Sequence, residues 1–169
     1  GAGWEELVAG AEASPKGAKG LLCLPHFSGE RTPIHDPFAK GVFAGMDLTH
    51  TRADLFRAVL EGIAAGTAHA LDTYREVGAA PRVAYAVGGG TQNAVWLQAT
   101  SDIGRVTQVV REKTIGASYG DAFLAAVAVG RAAPEDIEAW NPVARTVEPE
   151  TVPAYERQYP LWKQLYAQT

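Results

Sequence analysis

The sequence predicts an α/β domain in which a mixed sheet is flanked by helices. Short apolar runs, typical of buried strands, alternate along the chain with longer stretches whose apolar residues recur every three or four positions. In one place the order is strand, glycine-rich turn and helix, around residues 88–90. With 169 residues, 47% hydrophobic and 20% charged, the chain has the size and balance of one globular domain.

The elements follow in order from these patterns. Residues 52–54 follow Thr51 in a capping box, which predicts the start of the longest helix, running to Gly78. Pro and Gly without periodicity predict a long loop over 25–40, and prolines at 134, 142, 149 and 153 interrupt the C-terminal part of the chain. The predicted helices are 4–13, 52–78, 91–103, 116–130 and 154–168, and the predicted strands are 20–24, 41–46, 83–87 and 106–110. The last helix places Tyr155, Tyr159, Trp162 and Leu165 on one side, so it should dock on the body.

Composition excludes several classes of function. A net charge of −4 and a pI of about 5.6 argue against a nucleic-acid partner, although a few backbone donors can still hold a single nucleotide. The longest apolar stretches, such as 122–129, are too short to span a membrane. The only cysteine, Cys23, lies in an apolar run and is expected in the core of a cytoplasmic protein. Because residues 1–3 lack an initiator Met, we expect a chain cut from a longer one.

Gly88, Gly89 and Gly90 form the candidate ligand site. Glycines between a strand and a helix let the backbone approach a ligand and direct free N–H groups at an anion. Thr91 is a candidate helix cap, and the amide of Asn93 should lie near the same pocket. The spacing alone leaves two alternatives open, ligand contact or a sharp turn required by packing. It fits neither the G-x-G-x-x-G nor the G-x-x-x-x-G-K-[ST] fingerprint.

Three segments together resemble the C-terminal domain of the FGGY family of carbohydrate kinases, most closely its xylulokinase-like branch. They are GLLCLPHFSGERTP (20–33), GVFAGM (41–46) with DLFRAVLE (54–61), and VGGGTQN (87–93) running into SDI (101–103). The resemblance extends from about Trp4 to Arg131.

This resemblance implies an actin-like, ribonuclease-H-like ATPase fold that uses ATP and Mg²⁺ to phosphorylate a sugar or polyol. Residues 1–169 would be a single C-terminal nucleotide-binding domain, with 142–169 as a tail ending in the docked helix. Gly89 and Asn93 match the nucleotide contacts of the family, within a loop formed by Gly88, Gly89 and Gly90. The catalytic aspartate, the Mg²⁺ ligands and most sugar contacts would belong to an N-terminal domain, so we assign no catalytic or metal-binding residue here.

Some residues depart from the family pattern or allow two interpretations. The segment 118–121 reads Ser-Tyr-Gly-Asp where relatives carry small residues, and Asp121 is expected to complement the helix dipole. In the loop Ser28–Asp36 we favour a structural ion pair between Glu30 and Arg31 over contact of these side chains, His35 or Asp36 with substrate. The histidines, at 26, 35, 50 and 69, lack the spacing of a zinc site.

The leading hypothesis is therefore the ATP-binding half of a kinase for D-xylulose or a related pentulose or polyol, inactive on its own. The alternative is a non-catalytic domain with the same fold that forms a homodimer through helices 51–77 and 154–168, motivated by the segment 118–121. An actin-like sensor or chaperone module is disfavoured by the family pattern at 41–61.

Overall fold

The computed structural model describes residues 3–169. The expectation of a longer chain rests partly on Gly1 and Ala2, which lie outside the described residues. Helices and strands alternate as predicted. The helices are α1 (Trp4–Ala13), α2 (Arg52–Glu76), α3 (Ala94–Gly104), α4 (Ala117–Ala128), α5 (Ile137–Trp140) and α6 (Pro153–Gln168), and the strands are β1 (Leu22–Leu24), β2 (Val42–Ala44), β3 (Val83–Ala86), β4 (Thr107–Arg111) and β5 (Val143–Val147).

The strands form two sheets. β1 and β2 make an antiparallel pair in which Cys23 lies opposite Phe43. The second sheet is mixed, in the order β3, β4, β5: β3 runs parallel to β4, and β5 runs antiparallel to β4. The parallel pair places the ends of β3 and β4 at the same edge, which is where the glycine turn follows β3.

Helix α2 is the central element, packed between α1, α3 and β1. The capping box is confirmed: Asp54 N donates to Thr51 Oγ1, and Thr51 N donates to Asp54 Oδ2. Gly62 lies directly on β1, because a Cβ at this position would collide with the carbonyl oxygen of Cys23. Cys23 is buried as predicted, and burial raises the pKa of its thiol to about 11.

Helix α6 docks on this body as predicted. The indole Nε1 of Trp162 donates to the carbonyl of Cys23 at 2.8 Å, and the Tyr155 hydroxyl donates to Glu61 Oε1 at 2.7 Å. Leu24, Ala65 and Trp162 form one core cluster at this junction.

The sequence missed two elements after α4, β5 and the short helix α5. Residues 143–147 are mostly exposed and lack the apolar alternation of a half-buried strand, so only their pairing with β4 makes them a strand. Helix α3 also begins later than predicted, since residues 89–92 form a turn of 3₁₀ helix before it. Within residues 3–169, no helix combines the length and apolar character needed to cross a bilayer.

Candidate functional site

The candidate site lies at the edge of the mixed sheet where β3 and β4 end. Gly88 follows β3, and its N–H donates to the carbonyl of Thr114, which follows β4, at 2.7 Å. A second glycine, Gly116 with φ of 89°, immediately precedes α4. The glycine turn 88–93 and the loop 112–116 therefore lie side by side, and each leads to the N-terminus of a helix. Ligands of open α/β sheets bind at this carboxyl edge of the strands.

The three glycines of the first turn have different reasons to be glycine. Gly88 has φ of 86°, a conformation that other residues rarely adopt, while a Cβ at Gly90 would lie 2.6 Å from the ring of Trp96. At Gly89, whose φ is not in the left-handed region, an added Cβ would meet no heavy atom within 4 Å. Packing and backbone geometry thus explain Gly88 and Gly90. Neither explains Gly89, which faces open space.

Hydrogen bonds within the turn connect its residues to one another. Both the backbone N–H and the hydroxyl of Thr91 donate to the carbonyl of Gly88, at 3.2 and 2.7 Å. The N–H of Asn93 donates to the carbonyl of Gly90 at 3.0 Å. The prediction that Thr91 caps α3 is therefore wrong, because its hydroxyl closes the turn before the helix begins.

Asn93 is the residue that caps α3. Its Oδ1 accepts the N–H of Trp96 at 3.0 Å, and the residue is only 2% exposed. Its Nδ2 is buried and has no hydrogen-bond partner among the described residues. Buried amide groups nearly always have a partner, so this nitrogen is an unsatisfied donor close to the turn.

A cavity of about 260 Å³ lies behind the turn, between the mixed sheet and helices α2 and α3. This volume is just below the usual range for small-molecule sites. Its lining is mainly apolar, with a few polar side chains, and includes Ala86, Gly90, Trp96, Thr100 and Gln108. Gln108 is already satisfied, since its Nε2 donates to Leu97 O and Ser101 Oγ. The turn is thus bordered by open space on one side and by this cavity on the other.

The segment that departs from the family pattern has a local structural role. The Tyr119 hydroxyl donates to the carbonyl of Trp140 at 3.0 Å, and Phe123 packs against the same indole with ring centroids 5.4 Å apart. Asp121 is exposed in the second turn of α4, beyond the first turn in which the helix dipole acts strongly. The expected dipole interaction of Asp121 is therefore weak.

The loop Ser28–Asp36 is held by its own hydrogen bonds. Glu30 does not pair with Arg31, as the sequence suggested: its Oε2 lies 2.8 Å from Nδ1 of His26, and its Oε1 accepts the N–H groups of Arg31 and Thr32. Backbone bonds in both directions join Glu30 to Asp36. The structural role favoured for Glu30 is correct, but its side-chain partner is His26 and not Arg31, while His35 is exposed.

Metal-binding side chains do not converge in the described part of the chain. Among residues 3–169, no group of three or more His, Cys, Asp or Glu side chains could hold a metal ion. The site can therefore offer a ligand backbone N–H groups and one amide, but no carboxylate cluster.

Comparison with known proteins identifies the family. A model of the C-terminal domain of the FGGY family of carbohydrate kinases matches residues 3–129. The xylulose kinase of Bacillus subtilis (strain 168) is 35% identical over 170 residues, which cover 98% of this chain and 34% of that protein. The chain thus spans about one third of the length of the relatives it matches.

Solved structures agree. A xylulose kinase from Rhodospirillum rubrum superposes with a TM-score of 0.82 at 34% identity, covering 97% of this chain and 33% of that one. A Plasmodium falciparum glycerol kinase, solved with ADP, superposes with a TM-score of 0.85 over 99% of this chain and 34% of that one; at 23% identity it supports the fold alone. The predicted actin-like α/β fold is confirmed. The chain belongs to the FGGY family of carbohydrate kinases and corresponds to its C-terminal domain.

Proposed function

We propose that this chain is the nucleotide-binding lobe of an ATP-dependent carbohydrate kinase. The complete enzyme would transfer the γ-phosphate of ATP to a hydroxyl of D-xylulose or of a related pentulose or polyol. Family membership supports the reaction class, and the names of the relatives support xylulose as the first substrate to test.

The nucleotide assignment rests on two features found together in the turn, one at Gly89 and one at Asn93. Gly89 has no steric or conformational reason within the chain to lack a side chain, and Asn93 buries an amide N–H₂ without a partner. A planar ligand lying over Gly89 would explain both features, since it would occupy the free space and accept the hydrogen bond. The adenosine part of ATP has the flat surface and the acceptors that this arrangement requires.

The roles of the residues follow from this placement. Gly88 and Gly90 would shape the turn, Gly89 would contact the adenosine, and Asn93 would donate through Nδ2. ATP would supply the phosphoryl group and Mg²⁺ would neutralise its charge. This chain's own part is to bind and orient the nucleotide. The catalytic base, the metal ligands and most sugar contacts are assigned to a second lobe.

The domain organisation belongs to the same proposal. Residues 1–169 would form one C-terminal domain, with 142–169 as its closing tail, and would be inactive alone because phosphoryl transfer requires both lobes to close on the substrates. The free thiol at Cys23 and the use of ATP favour a cytoplasmic location.

Calorimetry with ADP tests the assignment directly. We expect weak but measurable binding to the chain and none to Gly89→Val, because the new side chain would fill the nucleotide space. Since a Cβ at Gly89 meets nothing within 4 Å, the variant should still fold. Gly66→Val, a glycine of α2 that also faces open space, is the matched control and should bind like the parent. Unchanged binding by Gly89→Val would refute the role of Gly89.

Absence of binding in the parent chain would refute the nucleotide assignment itself. The non-catalytic alternative would then be favoured if analytical ultracentrifugation showed a homodimer. A monomer without nucleotide affinity would contradict both hypotheses.

A further inference from the structure

The C-terminal segment from α5 to β5, residues 137–147, contacts the glycine turn and the loop 112–116 that precedes α4. This segment lies beyond the region that the family model matches, which ends at residue 129. The sequence offered no role for it. The structure shows three separate links between this segment and the edge of the sheet.

Arg145 makes the first link. It lies in β5 opposite Val110 of β4, and residues paired across strands project their side chains on the same face. Val110 is buried, 5% exposed, so the shared face is the one that packs toward the helices and the turn. From there Nη2 of Arg145 donates to the carbonyl of Thr91 at 2.5 Å.

Asn141 makes the second link, to the loop 112–116 that precedes α4. Its Oδ1 accepts the N–H of Lys113 and its Nδ2 donates to the Lys113 carbonyl, both at 2.9 Å. The next residue, Thr114, supplies the carbonyl that accepts the N–H of Gly88. Asn141 therefore fixes the backbone at Lys113, and the adjacent Thr114 carbonyl fixes Gly88 at the start of the glycine turn.

Arg111 makes the third link and fixes α5 on the sheet. Its guanidinium pairs with both carboxylate oxygens of Glu138, at 2.5 and 2.8 Å, and donates to the carbonyl of Asn141 at 3.1 Å. It also lies over the ring of Tyr85 in β3, 5.2 Å from the centroid. The segment is thus attached to β4, whose Arg111 in turn contacts β3.

We infer that Arg145 is a positioning residue for nucleotide binding, which holds the Thr91 carbonyl so that the turn stays open and Asn93 faces the ligand. The inference rests on the proposed nucleotide function. Its physical reason is that three consecutive glycines have large conformational freedom, so a turn built from them needs bonds from outside to keep one shape. A turn that is ordered before the ligand arrives binds it more tightly.

Two substitutions separate this role from a general effect on folding. Arg145→Met removes the donor and keeps the length of the side chain, whereas Arg145→Lys keeps a cationic donor. Arg131→Met, at an exposed arginine after α4, is the matched control. ¹H–¹⁵N NMR of each variant reports the amides of 88–93 without nucleotide, and titrations with adenosine and with ADP give the affinities.

We expect Arg145→Met to shift the amide signals of 88–93 and to accelerate the exchange of these amide protons with solvent. Both adenosine and ADP should bind about three- to tenfold more weakly. Arg145→Lys should recover most of the affinity, Arg131→Met should change nothing, and the midpoint of urea unfolding should be unchanged in all three. Asn141→Ala should accelerate exchange of the Gly88 amide.

Three outcomes would overturn the inference. Unchanged amide signals in Arg145→Met would show that the turn does not depend on this bond. If Arg145→Met weakened the binding of ADP but not of adenosine, Arg145 would contact the phosphates directly instead of positioning the turn. If the variant bound both ligands as tightly as the parent, Arg145 would have no role in nucleotide binding. If the parent chain binds no nucleotide, the proposed function fails, while the amide signals of the ligand-free variants still decide whether Arg145 holds the turn.

Discussion

Two glycines illustrate how differently two regions of this molecule are built, the crossing of α2 over β1 and the turn after β3. At Gly62, where α2 crosses β1, a Cβ would collide with the carbonyl of Cys23, so the glycine is required by the fold. At Gly89 a Cβ would meet nothing within 4 Å. Around Gly62 the space is filled by the chain itself. Around Gly89 space remains, which is what a ligand needs.

Polar groups show the same contrast. Near Gly62, buried Glu61 accepts hydrogen bonds from Gly17 N, Arg57 Nε and the Tyr155 hydroxyl, at 2.7 to 3.0 Å. Near Gly89, buried Asn93 keeps an unpaired donor. Buried polar atoms without a partner among the described residues also occur on α2 and α6, at His69 and Tyr166, so this contrast describes Glu61 and Asn93 alone.

The largest effect is expected from breaking the buried pair Arg57–Glu61. Burial raises the pKa of Glu61 even though Gly17, Tyr155 and Arg57 all stabilise its charge. Arg57→Met would leave this carboxylate buried without its cation, which should lower the free energy of unfolding by about 3–5 kcal/mol. Urea denaturation at pH 7 measures the change.

The exposed pair between Arg52 of α2 and Glu6 of α1 provides the control for Arg57. Both side chains are more than half exposed, so Arg52→Met should cost less than about 1 kcal/mol. Similar losses from the two arginine variants would contradict the view that the buried network holds α1, α2 and α6 together.

The second effect comes from adding one methyl group to α2. Gly62→Ala should destabilise the protein by about 3 kcal/mol, because the Cys23 carbonyl is backbone and cannot move away without displacing β1. Gly66→Ala, one turn further along the same helix and without a neighbour within 4 Å, should instead stabilise it by about 0.5–1 kcal/mol. Thermal unfolding of the two variants should give shifts of opposite sign, and equal shifts would contradict the close approach of α2 to β1.

The fold was predictable where the sequence carries local signals. The capping box at Thr51 marks the start of α2, and the aromatic spacing from Tyr155 to Trp162 marks the buried side of α6. β5 was not predictable, because Val143–Val147 is a strand only through its pairing with β4 and buries little of its own surface. Long-range pairing of this kind leaves no periodic pattern in the sequence.

The candidate site was predictable in position but not in detail. The glycines after a strand indicated the edge of the sheet, and the family resemblance selected Gly89 and Asn93. The hydrogen bonds of Thr114 and Arg145 to the turn join residues far apart in the chain. The contact of Gly90 with Trp96 is closer in sequence but depends on the path of the turn. Spacing alone could not reveal these contacts.

The third effect depends on pH. Burial alone would raise the pKa of Asp54, but hydrogen bonds from Lys19, Thr51 and Ser14 lower it well below its usual range. A carboxylate whose folded-state pKa is lowered stabilises the protein above its unfolded pKa, and that stability is lost as pH falls. Asp54→Asn should therefore cost about 1.5 kcal/mol at pH 7 and progressively less below pH ~4. Urea unfolding of the parent and of Asp54→Asn from pH 7 to pH 3 measures the difference in their free energies of unfolding. A difference that stays constant with pH would show that it does not come from the ionisation of Asp54.

The smallest effect on stability is expected where the structure leaves space. Gly89→Ala should change the free energy of unfolding by less than about 0.5 kcal/mol, because the methyl group meets nothing and the backbone is not in the left-handed region. The same methyl group would stand where the nucleotide is proposed to lie, so ADP affinity measured by calorimetry should fall while stability does not. A loss of stability comparable to that of Gly62→Ala would show that the space at Gly89 is already used by the fold. Unchanged stability together with reduced affinity would separate the region proposed to bind the nucleotide from the region that holds the fold together.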